Sequence, residues 1–354
     1  MGTAGFESRS LQANGQRIHV TIAGSSGPLV LLCHGFPESW HSWRHQMPAL
    51  AAAGYRAVAL DMRGYGRSSK PIEPEAYKFT QLVEDCVGVV RAFGESSAVI
   101  VGHDIGAPVA WTAAWTRPEV FHAVVGLSLP FGGRGPACLP GSPFGEVRPS
   151  LAERNIAGPD QLFYQEYFRS PDRRAQRAAD KDLRGWLANA FYSLSADLPL
   201  PPELAALDLM RLPDEVLMQF TRATMCIPAS GTFDDMLATA PGALPAWLTE
   251  ADLDYCVTEL EYSGLHGPFN HYQNQDLVWE ELGEYGDKPL DVPALFMGGA
   301  RDTATIWSQR TIERAQERCT DLRGAIILPD CGHWIQQEKP HEVNEALLAF
   351  LGSL

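Results

Sequence analysis

The chain has 354 residues, of which 45% are hydrophobic and 20% charged, a globular balance that supports one large domain or a core domain with an insertion. The formal net charge of −15 argues against nucleic-acid and anionic-membrane partners, because both require a basic surface. The seven cysteines include no CxxC pair, which argues against a zinc site and favours a reducing compartment.

The start of the chain carries no recognisable targeting signal. Residues 1–10 lack the basic-then-apolar order of a secretory signal, and no apolar run reaches membrane-spanning length. We therefore expect a cytoplasmic protein without a membrane partner. No motif indicates a metal ion or a cofactor, and the sequence is compatible with a monomer and with a homodimer.

Short apolar runs alternate with helical patterns in the first third of the chain. Residues 17–23 alternate as an edge strand would, and 82–93 carry apolar residues at helical spacing. Four continuous apolar runs are typical of strands buried on both faces, namely 29–33, 57–60, 98–101 and 123–127. Strands that alternate with helices predict an α/β fold with right-handed crossovers.

The pattern changes after residue 130. Residues 131–149 contain five glycines and four prolines, a composition typical of a domain junction. Helical patterning follows to about residue 286, and strand signals return at 292–297 and 325–328 before a last helix that begins at Pro340. We therefore predict an α/β core of residues 1–133 and 285–354, split by a helical cap of residues 134–284.

The motif Gly102-His103-Asp104-Ile105-Gly106 joins a predicted strand to a predicted helix. Gly-x-nucleophile-x-Gly at such a turn is the nucleophile elbow of the α/β-hydrolase fold. The usual serine is replaced here by Asp104, and a carboxylate attacks strained or activated sp³ carbon to form an alkyl ester. We expect His103 to be buried beside the elbow rather than catalytic.

Two further residues complete a triad in the chain order nucleophile, acid, histidine. Asp302 follows the strand at 292–297, and His333 follows the strand at 325–328. His333 is then the base that deprotonates water, and Asp302 orients its imidazole. Asp291 and Asp330 are the alternatives for the acid.

The loop of residues 34–37, with the sequence His-Gly-Phe-Pro, follows the first core strand. In this fold such a loop supplies an oxyanion N–H, here from Phe36, and a second comes from Ile105. We assign Phe36, Ile105, His34, Pro37 and Trp334 to the oxyanion and substrate-binding set, with His34 more structural than catalytic. The Phe36–Pro37 bond is a predicted cis peptide, because it must hold a sharp turn.

With these motifs in place, the chain resembles the epoxide hydrolases of the α/β-hydrolase fold. The resemblance covers nearly the whole length and includes the irregular stretches 132–135, 139–145 and 332–338. It implies a mostly parallel sheet with a helical cap, an epoxide and water as substrates, a vicinal diol as product, and no cofactor.

The resemblance also implies two cap tyrosines that hydrogen-bond the epoxide oxygen and protonate it as the ring opens. The matching positions are Tyr164 and Tyr272. Spacing alone does not distinguish them among the six tyrosines of the cap, and Tyr167 is the alternative to Tyr164.

Three other functions share parts of this pattern. A haloalkane dehalogenase needs side-chain donors for the halide, and Ile105 and Phe36 supply none. A haloacid dehalogenase of the fluoroacetate type needs arginines beside the elbow, where Ile105 and Pro108 stand. A non-catalytic binding protein would have lost a member of the triad. Family members commonly carry tryptophan at the position of Ile105, so the substrate preference is left open.

Overall fold

The computed structural model describes residues 5–354, so the start of the 1–10 segment lies outside the described residues. Its first part alternates strands and helices, as the apolar runs predicted. The strands are β1 (Glu7–Ala13), β2 (Gln16–Ala23), β3 (Leu29–Cys33), β4 (Arg56–Leu60), β5 (Ala98–His103) and β6 (Phe121–Leu127). The helices between them are α1 (Gln46–Ala52), α2 (Phe79–Ala92) and α3 (Gly106–Thr116).

The segment that follows β6 is mostly helical. Its helices are α4 (Pro149–Ala157), α5 (Tyr164–Phe168), α6 (Arg174–Ala179), α7 (Leu183–Ser193), α8 (Pro202–Ala205), α9 (Asp214–Met225), α10 (Glu250–Ser263), α11 (His266–Asn270) and α12 (Gln275–Glu281). Two short strands, β7 (Gln161–Phe163) and β8 (Cys226–Pro228), pair antiparallel within it. The sequence did not predict this pair, because three residues are too few to show an apolar period.

The chain then returns to the large sheet. The returning strands are β9 (Ala294–Gly299) and β10 (Leu322–Leu328). The remaining helices are α13 (Thr303–Trp307), α14 (Gln309–Glu313), α15 (Ile335–Glu338) and α16 (Pro340–Leu351). Helix α16 begins at Pro340, as predicted, and buries Val343, Leu347 and Phe350. No helix within residues 5–354 has both the length and the apolar character that crossing a membrane requires.

The eight strands of the large sheet lie in the order β1-β2-β4-β3-β5-β6-β9-β10. Only β2 runs against the others among the described strands. The prediction that residues 17–23 form an edge strand was wrong, since β1 pairs outside them. Most residues of β1 are exposed, and its polar sequence gives no strand signal. The sequence therefore did not predict that β1 lies outside β2.

The parallel strands set the position of the functional site. Strands β3, β5, β6, β9 and β10 run in the same direction, so their carboxyl ends meet at one edge of the sheet. Ligands of open α/β sheets bind at this edge. The loops that leave it carry Phe36, Asp104, Ser128, Asp302 and His333.

Candidate active site

Asp104 occupies a strained turn between β5 and α3. Its φ is +50°, a left-handed conformation that non-glycine residues adopt uncommonly. A Cβ on Gly102 would lie 2.0 Å from the carbonyl oxygen of Gly106, and a Cβ on Gly106 would lie 2.2 Å from that of Cys33. The two glycines therefore allow the close approach that presents the Asp104 carboxylate at the sheet edge.

The loop after β3 holds one oxygen of that carboxylate. The backbone N–H of Phe36 donates to Asp104 Oδ1 at 2.7 Å. The Phe36–Pro37 peptide is cis, as predicted. Of the two predicted backbone donors, Phe36 is the one engaged with Asp104, while Ile105 lines the same cavity.

His333 lies between two carboxylates. Its Nε2 is 3.6 Å from Asp104 Oδ2, and its Nδ1 is 3.0 Å from Asp302 Oδ1. Asp302 is fully buried, whereas the alternatives Asp291 and Asp330 are exposed. The structure thus brings together Asp104, His333 and Asp302, the predicted nucleophile, base and acid.

Several donors stabilise the Asp302 carboxylate in its charged form. Oδ2 accepts from Ser128 Oγ at 2.6 Å and from Thr305 Oγ1 at 2.8 Å, and Oδ1 accepts from the Ala304 N–H at 3.0 Å. Burial alone would raise the pKa of Asp302, but His333 and these hydrogen bonds lower it below its usual value. Asp302 is therefore a buried, ionised partner of the imidazole.

The same pairing changes the acidity of His333. Burial alone would lower the pKa of the imidazole, but the Asp302 carboxylate and then that of Asp104 raise it to about 9. At neutral pH the resting site therefore holds an imidazolium between two carboxylates.

The two predicted tyrosines reach the same cavity from the helical segment. The cavity has a volume of about 380 Å³, and its lining includes Asp104, His333, Tyr164 and Tyr272. The rings of the two tyrosines lie 6.3 Å apart between centroids. Burial and then the Asp104 charge raise the pKa of both hydroxyls, so both remain protonated donors at neutral pH. Tyr167 is fully buried against Arg174 and lies outside the cavity lining.

This chain is similar along its whole length to known enzymes. A family model of the α/β hydrolase fold matches residues 28–178. The sequence is 48% identical over 352 residues to epoxide hydrolase B of Mycobacterium tuberculosis, covering 98% of each chain. The chain belongs to the epoxide hydrolases of the α/β hydrolase fold. It is also 37% identical over 347 residues to epoxide hydrolase A of that organism, covering 98% of this chain and 97% of the relative.

Solved structures agree with this family. An epoxide hydrolase from an endophytic Streptomyces superposes with a TM-score of 0.86 at 44% identity, covering 98% of this chain and 96% of that one. Epoxide hydrolase A from Mycobacterium thermoresistibile superposes with a TM-score of 0.84 at 38% identity, covering 98% of each chain. These relatives favour an epoxide hydrolase over the dehalogenase and binding-protein alternatives.

Not every residue assigned to the binding set of this epoxide hydrolase reaches the cavity. Phe36, Pro37, Ile105 and Trp334 line it, and Trp334 also donates through Nε1 to the Phe191 carbonyl at 2.9 Å. The assignment of His34 to this set was wrong. Its Nδ1 donates to the Gly35 carbonyl at 2.8 Å and its Nε2 accepts from the Met62 N–H at 3.0 Å, which leaves no nitrogen for a substrate.

His103 is fully buried beneath the triad, as predicted. Its Nδ1 lies 2.8 Å from Glu38 Oε2, and its Nε2 lies 2.8 Å from the backbone carbonyl of His333. His103 thus joins the elbow to the loop that carries His333. No group of three or more His, Cys, Asp or Glu side chains within residues 5–354 is arranged to hold a metal ion.

The sequence missed several residues that support the site. Ser128 has a φ of +74° directly after β6, and its hydroxyl lies 3.1 Å from His333 Nδ1 as well as beside Asp302. Glu338 accepts hydrogen bonds from the backbone around His333. A serine at the carboxyl end of a predicted core strand was the one available signal, because active-site residues collect there.

Proposed function

We propose that this enzyme converts epoxides into vicinal diols through a covalent ester on Asp104. In the first step Asp104 Oδ2 attacks a carbon of the ring, the bond from that carbon to the ring oxygen breaks, and the oxygen takes a proton from Tyr164 or Tyr272. The observation that carries this proposal is the unequal environment of the carboxylate. Oδ1 accepts the Phe36 N–H at 2.7 Å, while Oδ2 lies 3.6 Å from His333.

In the second step His333 takes a proton from a water molecule, which attacks the ester carbonyl. The carbonyl oxygen gains negative charge as it does so, and the backbone N–H groups of Phe36 and Ile105 are the proposed donors to it. The bond between the acyl carbon and the alkyl oxygen, which came from Asp104, then breaks. This oxygen leaves in the diol with a proton from His333, and the carboxyl group left on Asp104 returns its proton to the imidazole. Asp302 stabilises the imidazolium that results.

The order of the two steps follows from the charges. The charge of Asp104 contributes to raising the pKa of His333 to about 9, which keeps the imidazole protonated in the resting site. Ester formation removes that charge. The pKa of His333 then falls, and the imidazolium gives its proton to the tyrosinate that ring opening leaves, so the imidazole becomes a base only after the ester exists.

We further propose that residues 134–284 act as a cap over the core formed by residues 1–133 and 285–354. Tyr164 and Tyr272 both belong to this segment and line the same cavity as Asp104, which supports a cap that supplies the proton donors. Phe168, Trp186 and Phe233 also line the cavity, which suits epoxides with apolar substituents. The proposed partners are the epoxide and water alone.

The origin of the oxygen in the diol tests the covalent mechanism. With enzyme in excess over styrene oxide in ¹⁸O-water, we expect an unlabelled diol from the first turnover and the heavy atom on Asp104. Only later turnovers transfer the label to product. A diol labelled in the first turnover would show that Asp104 activates water instead of attacking carbon, and would overturn the covalent step.

A further inference from the structure

A chain of buried polar side chains ends on the hydroxyl of Tyr164. Arg169 donates to both oxygens of Glu153, and its Nη1 also donates to Gln275 Oε1 at 3.2 Å. Gln275 Nε2 donates to Gln165 Oε1 at 2.5 Å, and Gln165 Nε2 donates to the Tyr164 hydroxyl oxygen at 2.7 Å. Glu153, Gln165 and Gln275 are 0%, 6% and 7% exposed.

The direction of every hydrogen bond in this series of side chains follows from Arg169, its first member. A guanidinium only donates, so Gln275 must present its carbonyl oxygen to Arg169. The amide nitrogen of Gln275 then faces Gln165, which must accept with its own carbonyl oxygen. The amide nitrogen of Gln165 is left to face Tyr164. The orientation of both amides is thus determined by Arg169, which Glu153 holds in place.

This direction decides where the proton of Tyr164 points. The phenol oxygen already accepts a hydrogen bond from Gln165, so its own hydrogen is free to turn into the cavity that also contains Asp104. A donor on the phenol oxygen also stabilises the phenolate that forms as the proton leaves. Burial and the Asp104 charge raise the pKa of Tyr164, and the hydrogen bond from Gln165 opposes that shift.

We propose that Arg169, Gln275 and Gln165 form a one-way donor relay that positions Tyr164 as the principal proton donor to the epoxide oxygen. Within residues 5–354, Tyr164 receives such a hydrogen bond and Tyr272 does not. The relay residues are positioning residues, because they act on the reaction through the Tyr164 hydroxyl. The inference rests on the proposed function, since it assigns the acid of the ring-opening step.

Gln165→Glu tests the direction of the relay with almost no change in shape. The introduced carboxylate still accepts from Gln275 but can only accept from Tyr164, which turns the phenol proton away from the cavity. In a His333→Gln parent that retains the ester, we measure ester formation from styrene oxide by rapid quench and intact-protein mass. We expect the saturated rate at pH 8 to fall about 10- to 100-fold, with little change in the styrene oxide concentration that gives half-saturation.

Lowering the pH supplies a readout that a structural role would not give. Once protonated, the introduced carboxyl donates to Tyr164 again, so the rate ratio of parent to Gln165→Glu should approach one as the pH falls from 8 to 5. The carboxyl groups of Asp104, Glu153 and Asp302 also act on Tyr164. Both proteins contain these groups, so their effect cancels in the rate ratio. A ratio that does not change with pH would contradict the relay.

Gln275→Glu tests whether a reversal of hydrogen-bond direction at residue 275 reaches Tyr164. The new carboxylate accepts from Arg169 and from Gln165, so the Gln165 amide must reverse and present its oxygen to Tyr164. We expect ester formation to slow about 5- to 20-fold, although residue 275 has no hydrogen bond to Tyr164.

Tyr164→Phe provides the control for both variants. The Tyr164→Phe protein has no hydroxyl to orient, so Gln165→Glu or Gln275→Glu should change its rate of ester formation less than twofold. A double-mutant cycle measures this difference. An equal slowing in the Tyr164→Phe protein would show that these hydrogen-bonded side chains only support the structure, and would overturn the relay. If the parent itself forms no ester, the covalent mechanism fails first, and the role of the relay fails with it.

Discussion

The backbone N–H of His333 donates to the carbonyl oxygen of Leu194 at 2.8 Å, so the loop of the proposed base is bonded directly to the helical segment. Glu338 strengthens this junction. Its Oε2 accepts from the N–H groups of Ala196 and Gly332, each at 2.9 Å, and its Oε1 accepts from that of Trp334 at 3.0 Å. One carboxylate therefore holds both sides of the junction around His333.

Loss of the Glu338 carboxylate should impair His333. In Glu338→Gln an amide nitrogen replaces one acceptor oxygen and faces a backbone N–H, which loosens the loop of His333. We expect ester hydrolysis to slow about tenfold or more while ester formation changes little, as stopped-flow and quench measurements of the two steps would show. Glu342→Gln, an exposed change four residues away, should leave both steps unaltered. Equal slowing of the two steps would contradict a specific effect on His333.

Removal of the proposed base should separate the two steps more completely. His333→Gln leaves Asp104 able to attack but gives water no base, so the ester should accumulate and the intact mass should rise by one substrate. Asp104→Ala should give neither adduct nor diol. A His333→Gln protein that turns over without an adduct would remove His333 from the role of base.

The pKa of His333 also predicts how stability depends on pH. Its folded value of about 9 lies above the ordinary value of 6.5, so its contribution to stability is complete below pH 6.5 and is lost as the pH rises through 9. We expect this loss to reach ~3 kcal/mol in the free energy of unfolding. Denaturant titrations at pH 6 and pH 10 should show a smaller difference for His333→Gln. Identical pH dependence in the two proteins would argue against the raised pKa.

Ser128 should contribute to stability and to ester hydrolysis, because it donates to the Asp302 carboxylate. Ser128→Ala removes a hydrogen bond to the buried Asp302 carboxylate and leaves Thr305 as the remaining hydroxyl donor. We expect a loss of about 1.5–3 kcal/mol in unfolding free energy, together with slower ester hydrolysis. Ser25→Ala, at an exposed serine, is the matched control. Unchanged stability in Ser128→Ala would show that Asp302 does not depend on this donor.

The sequence by itself determined the core strands, the turn at Asp104 and the chain order of the three residues proposed as a triad. Strands buried on both faces must be apolar throughout, so β3, β5 and β6 are visible as continuous runs. The elbow is equally local, because its glycines are required by contacts within a few residues of Asp104 or with the neighbouring strand. Such signals depend on nearby residues, and a single sequence contains them.

Only the tertiary structure decided which distant groups meet. The outer position of β1 and the choice of Asp302 over Asp291 and Asp330 depend on strand pairing and burial. Tyr164 and Tyr167 lie on one short helix, and packing alone turns Tyr164 to the cavity.

The supporting hydrogen bonds were the least predictable part of the site. Glu153 and Gln275 are more than 100 residues apart and meet at Arg169, whose contacts determine the orientation of both glutamine amides. Each of these side chains is an ordinary polar residue in its own stretch of sequence. Their arrangement depends on which buried donors and acceptors the fold brings within hydrogen-bonding distance, and no local pattern encodes that distance.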